Sequence, residues 1–182
     1  MKTLIIIMAS VLLISATLPL ATPANTHKGA KIPKHVDKYI KRFLKVAQYE
    51  ADKFNIPVSI KLAQGILESN AGRSQLSRKQ NNHFGMKWRG KGKYAVYRDD
   101  TPKDRFQAYE TAWYSWRHHS ILLATSKRYK HLTKLNRMQY KKWAYGLKKA
   151  GYATSSHYAE SLIKVIEKYN LWVYDMPIFG KL

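Results

Sequence analysis

Apolar residues recur at Val36, Ile40, Phe43, Ala47 and Phe54 with Lys, Asp and Glu between them, the spacing of an amphipathic helix. Asn55-Ile56-Pro57 ends that helix, and Pro57 suits the first turn of the next. From about Pro57 to Ser69 the chain is apolar nearly all round (Ile60, Leu62, Ala63, Ile66, Leu67), which predicts a centrally buried helix. It stops at Asn70-Ala71-Gly72, where Gly72 is expected to take the left-handed cap conformation. Asn81-Asn82 and Gly85 mark irregular backbone, and Gly90-Lys91-Gly92 marks a turn. Tyr94 to Arg98 and Arg105 to Tyr109 are β-prone runs around the turn-like residues 99–104, so a hairpin is expected between the second and third helices. Helical periodicity returns from Thr111, with Trp113, Trp116 and Ile121 on one helix. Tyr140, Trp143, Ala144 and Leu147 follow on another, closed by Gly151. The last helix starts near Ser156 as N-cap and carries Tyr158, Ala159, Leu162, Ile163, Ile166 and Tyr169 on one stripe. Trp113, Trp116 and Trp143 are assigned to the core. The predicted fold is mainly α with one small hairpin.

The N-terminus follows a different pattern. Lys2, the uncharged run Leu4 to Ile14 and the small residues Ala16, Ala21, Thr22 and Ala24 read as an export signal over residues 1–24, cleaved after Ala21 or Ala24. The run is shorter than the ~20 apolar residues that span a bilayer, so no stable membrane span is expected after cleavage. Residues 25–34 read as a polar linker, and residues 35–182 as one domain with its own core. With no cysteine, that domain folds without disulfides, offers no thiol nucleophile and cannot be a lipoprotein.

Charge narrows the partners. Lys and Arg number 33 against 11 Asp and Glu, a formal net charge of +22. Such a surface attracts polyanions. Export points to anionic envelope polymers, and the basic residues are spread along the chain with no nucleic-acid reader motif, so no nucleic acid is expected. The location implied is secreted or periplasmic, and the chain is expected to act as a monomer.

Glu68 ends the most apolar helix, and an apolar setting and the negative helix terminus would both raise its pKa. A carboxyl kept protonated near neutral pH is what protonation of a glycosidic oxygen needs. Asp99, Asp100 and Asp104 in the hairpin turn are candidates for a second carboxylate, although turns favour Asp for conformational reasons alone. Phe84, Trp88, Tyr94, Tyr97, Tyr109, Tyr152 and Tyr158 supply aromatic faces of the kind sugar rings stack on. The histidines (His83, His118, His119, His131, His157) have no zinc spacing, and there is no H-E-x-x-H, nucleophile elbow or phosphate-binding loop. No metal or cofactor is implied.

Four stretches resemble the flagellar-muramidase and autolysin type of β-N-acetylglucosaminidase, in that family's order and over roughly residues 40–172. They are Leu62-Ala63-Gln64-Gly65-Ile66-Leu67-Glu68-Ser69 with Gly72, Asn81-Asn82-His83-Phe84-Gly85-Met86-Lys87, Arg105-Phe106-Gln107-Ala108-Tyr109, and Ala150-Gly151-Tyr152-Ala153-Thr154 with Tyr158-Ala159. The resemblance implies a lysozyme-like helical domain with a small β-hairpin lobe. It implies cleavage of the β-1,4 bond on the reducing side of N-acetylglucosamine in peptidoglycan, with Glu68 as general acid and Asp99 or Asp100 as the hairpin carboxylate, Asp104 in reserve. By position Asn82, Phe84, Tyr109 and Tyr152 would line the glycan groove, Tyr152 nearest the chemistry, with Trp88 added from the aromatic supply. Two positions depart from the family's pattern: its F-R-x-Y arginine is Gln107 here, and its Asp-Pro after G-Y-A-T is Ser155-Ser156. A muramidase or lytic transglycosylase would use the same glutamate, and a basic cell-wall-binding module without turnover is the alternative outside the enzymes.

Overall fold

The computed structural model describes residues 31–98 and 103–176. Helix α1 spans Lys34–Phe54 and buries Val36, Tyr39, Ile40, Phe43, Ala47 and Ala51 along one stripe, as the periodicity predicts. Asn55 closes it in the left-handed conformation (φ 53°). Helix α2, Val58–Ser69, is the axis of the domain: every residue from Val58 to Ile66 is buried, including Lys61 and Gln64. Helices α1, α5 and α6 and the C-terminal 3-10 turn pack around it. Gly65 is what lets the aromatic layer approach, because a Cβ there would stand 2.6 Å from the Tyr39 hydroxyl and 3.3 Å from the Trp116 ring. The stop after α2 begins earlier than expected: Asn70 is the left-handed cap (φ 51°), and Ala71 (φ 51°) and Gly72 (φ 76°) continue the left-handed run.

The periodicity did not show helix α3, Gln75–Gln80, whose N-cap Ser74 accepts from the Ser77 amide. Hence the hairpin falls between α3 and α4. Its strands are shorter than expected, β1 Tyr94–Tyr97 and β2 Asp104–Gln107, antiparallel with Tyr94 opposite Gln107. Residues 86–88 flank β2 as a third edge through Gln107 N to Met86 O (2.8 Å) and Trp88 N to Arg105 O (2.9 Å), which ties the β-lobe to the helical lobe. Helix α4 is Ala112–Thr125, α5 Tyr140–Lys149 and α6 Tyr158–Lys168, with 3-10 turns at Lys130–Lys134 and Leu171–Asp175. The N-cap of α6 is His157 rather than Ser156, and it caps through no side chain. Gly151 (φ 69°) follows α5 as predicted. Trp116 and Trp143 are fully buried core residues. Trp113 is not: it is 40% exposed and lies against the Arg117 guanidinium, 4.9 Å from its ring centre.

Pro57 offers α2 no capping side chain, and the C-terminal turn supplies one from a distance. Asp175 accepts from the Ser59 amide (2.9 Å) and from the Ser59 hydroxyl (2.5 Å), with the carboxylate buried at the positive end of α2. Asp175→Ala is therefore expected to cost about 2 kcal/mol, read as a lowered urea midpoint with unchanged slope.

Candidate active site

A groove of about 690 Å³ runs between the helical lobe and the β-lobe. Glu68 stands on one wall with Leu76, Tyr129 and Tyr152, facing Met86, Lys87, Tyr97 and Phe106 from the other lobe. The apolar run of α2 does not bury Glu68. The last turn leaves the core, so that Leu67 is 38% exposed and Glu68 is also exposed, while Ser69 is buried again. The Ser69 hydroxyl donates to Gly65 O (2.5 Å) and accepts from Gly72 N (2.7 Å), which fixes the backbone next to Glu68. The carboxyl thus sits on a rigid helix end and meets the groove. It is not the desolvated acid the apolar pattern suggested.

Tyrosines from α6 and the preceding turn surround it. Tyr158, 6% exposed, donates to Glu68 Oε1 over a long 3.5 Å and accepts from Gln64 Nε2 at 2.9 Å. Tyr152 lies nearly parallel to Tyr158, with ring centres 5.5 Å apart, and its hydroxyl meets His119 Nε2 at 2.9 Å. Burial pushes both phenols above their ordinary range, and the Glu68 charge pushes the same way, so both remain protonated donors. Tyr152 thus lines the same groove as Glu68.

The other candidates divide. Phe84 lines the groove but is 4% exposed, stacked flat on His119 at 4.0 Å and edge-on to Trp116 at 5.0 Å. The structure gives Asn82 a task within the fold. It is 1% exposed, and its amide donates to Met86 O (3.0 Å) and Gln107 O (2.9 Å) and accepts from Met86 N (3.0 Å), holding the 82–86 loop against β2. Gln107, where the family pattern has arginine, ties its side chain to Lys93 O at 3.1 Å. Tyr109 bonds His118 Nδ1 at 2.7 Å and lines a second depression of about 890 Å³. His118 and Ile121 are common to the linings of the two depressions. Trp88 stays within the β-lobe, its indole N–H on Gly92 O (3.0 Å) and its ring against Tyr94 (4.8 Å). Asp104 is paired with Lys87 at 3.2 Å on β2. Asp99 and Asp100 lie outside the described residues. Among the described residues no group of three or more His, Asp or Glu could hold a metal ion.

Sequence reasoning passed over Tyr129, which is 6% exposed and 5.8 Å from the Tyr152 ring, and it weighed His118 and His119 only as zinc ligands. A histidine pair within one turn of Trp116 was the available signal.

The buried histidines also set a pH dependence. Burial holds His83 down to about 4 and His119 well below its ordinary range. Each is neutral when folded while the unfolded chain binds protons near 6.5, so their stabilisation is complete above about pH 6.5 and is lost as pH falls toward 4. Asp175, pushed up to about 6 by burial, acts oppositely: the extra stability its proton brings is complete below about 3.8 and is lost as pH rises through 6, while its hydrogen bonds from Ser59 remain. Two histidines outweigh one aspartate, so stability is expected to fall by roughly 2 kcal/mol from about pH 7 to pH 5. Thermal melts check this, and His83→Gln is expected to flatten the slope.

A family model described as mannosyl-glycoprotein endo-beta-N-acetylglucosaminidase matches residues 44–171. The chain is 35% identical over 142 residues to the exo-glucosaminidase LytG of Bacillus subtilis (strain 168), covering 71% of this chain, and spans half the length of that curated relative. The catalytic domain of the autolysin Auto from Listeria monocytogenes superposes with a TM-score of 0.68 at 30% identity, over 80% of this chain and 90% of that one. The glycoside hydrolase domain of FlgJ from Salmonella typhimurium gives 0.64 at 26% identity, over 74% and 88%. By the family model, which covers both lobes of the groove and every described residue that lines it, the chain belongs to the glucosaminidase family.

Proposed function

We propose that this protein is a peptidoglycan hydrolase that cuts the β-1,4 bond on the reducing side of N-acetylglucosamine, with Glu68 as the general acid. The observation that carries the reading is Glu68 itself, a carboxyl on a rigid helix end, facing a two-lobed groove beside two protonated tyrosines. Phe84 forms the groove floor, Tyr152 contacts the sugar next to the scissile bond, and Tyr109 serves more distant sugars. Asp99 or Asp100 is the second carboxylate, with Asp104 in reserve. The family and the LytG, Auto and FlgJ likenesses support the reaction class.

The cleavage is read as internal, with the strand passing from the groove toward the second depression, whose lining shares His118 and Ile121. Chromatography of a peptidoglycan digest tests this. Long oligosaccharides released early support an endo-enzyme, whereas only short terminal fragments would overturn that part of the reading. Residues 1–24 direct export and removal of the signal, so the enzyme works in the envelope or outside the cell. Among the described residues no helix is long and apolar enough to cross a membrane. The +22 charge retains the enzyme on anionic wall polymers. Wall binding is therefore expected to weaken between low and physiological salt in a pull-down, and salt-insensitive binding would refute that role for the charge.

A further inference from the structure

Beneath Tyr152 lies a buried polar chain that the proposed reaction leaves unused. Lys61, in the middle of α2, and His119, on α4, are both 0% exposed. Lys61 Nζ is 3.0 Å from Trp116 O and 2.8 Å from His119 Nδ1, and the same imidazole meets the Tyr152 hydroxyl through Nε2 at 2.9 Å. The Phe84 and Trp116 rings lie 4.5 and 5.3 Å from Nζ. A carbonyl oxygen, a ring nitrogen and two π faces are the surroundings of an ammonium, which has three hydrogens and no lone pair. A methionine would fill the same volume without the cost of a buried charge.

We propose that Lys61 and His119 are positioning residues that turn the hydroxyl hydrogen of Tyr152 out into the groove. The proposal rests on the reading of that groove as a glycan site with Tyr152 beside Glu68. An ammonium can only donate, so His119 Nδ1 accepts from Lys61. A neutral imidazole with a bare Nδ1 carries its hydrogen on Nε2, and that hydrogen goes to the Tyr152 oxygen. The phenol's own hydrogen is then left to point away from His119, where a sugar oxygen takes it. Burial first, and the Lys61 charge second, keep His119 neutral. Burial also pulls Lys61 well below the ordinary lysine range, with the Glu50 carboxylate opposing that and Arg117 adding to it. Phe84, flat against His119 at 4.0 Å, holds the ring plane in line with both partners.

The test uses Lys61→Met, Tyr152→Phe and their double variant, His119→Gln and His119→Leu, each followed by kcat, KM and Tm on purified peptidoglycan. Nitrogen-15 NMR of the histidines in the unmodified protein reports the tautomer. Lys61→Met is expected to match or exceed the parent Tm while losing roughly tenfold in kcat, about one hydrogen bond's worth, with KM little changed. Tyr152→Phe is expected to lose as much, and the double variant no more. His119→Gln, which keeps an N–H near the Nε2 position, is expected to retain more kcat than His119→Leu. The hydrogen of His119 is expected on Nε2. Full kcat in Lys61→Met beside an impaired Tyr152→Phe would overturn the proposal alone, as would a hydrogen on Nδ1. Full activity in Tyr152→Phe would overturn the reading of the groove, and the proposal with it.

Discussion

Glu68→Gln is expected to lower kcat/KM on peptidoglycan by on the order of a thousandfold while leaving Tm within about a degree of the parent. The amide has the shape of the acid but no proton to give to a leaving oxygen. Stability is spared because Glu68 is exposed on the last turn of α2 and the amide keeps the shape of the carboxyl, so no core packing is lost. Turbidity loss of a peptidoglycan suspension measures the activity and calorimetry the fold. A variant that kept a tenth of the parent rate would remove Glu68 from the acid's role.

Glu50→Gln is expected to have the largest effect on stability, about 3 kcal/mol. Glu50 is 0% exposed on α1, and both its oxygens face one guanidinium: Arg117 Nε lies 2.9 and 3.1 Å from them and Nη2 lies 2.8 Å from Oε1. The guanidinium is enclosed by the Tyr49, Phe54 and Trp113 rings at 4.9 to 5.3 Å, so water cannot readily replace the lost carboxylate. The low end of the range for a broken buried pair applies because the Arg117 side chain keeps 15% exposure. Removing both partners, as Glu50→Leu with Arg117→Met, is expected to recover most of the loss, since the stranded cation causes it. Urea unfolding of the two variants beside the parent checks both statements.

The helices that carry the core were legible in the sequence because their faces are strongly periodic: α1 shows its stripe from Val36 to Ala51, and α6 from Tyr158 to Ile166. Helix α3 was not, since six residues with Leu76 as the single apolar one give no period to read, and the only signal was Ser74 as a cap. Trp113 shared the spacing of Trp116 but lies where α4 turns outward, and composition cannot show which face that is. Glu68 was identified correctly as the end of the apolar helix, yet its exposure depends on where the domain surface cuts α2, which only packing decides. Lys61 and His119 escaped for a related reason. They are 58 residues apart, one a lone lysine in an apolar helix and the other weighed only for zinc, and their meaning appears only when α2 and α4 meet beneath Tyr152.

The bond cut and the acid that cuts it meet in one measurement. Purified peptidoglycan is digested with the protein lacking residues 1–24, beside its Glu68→Gln variant, and the fragments are reduced with borohydride and identified by mass spectrometry. Glucosaminitol ends that form only with Glu68 intact are the predicted result. Muramitol or anhydro-muramic ends, or glucosaminitol ends formed equally by the variant, would contradict it.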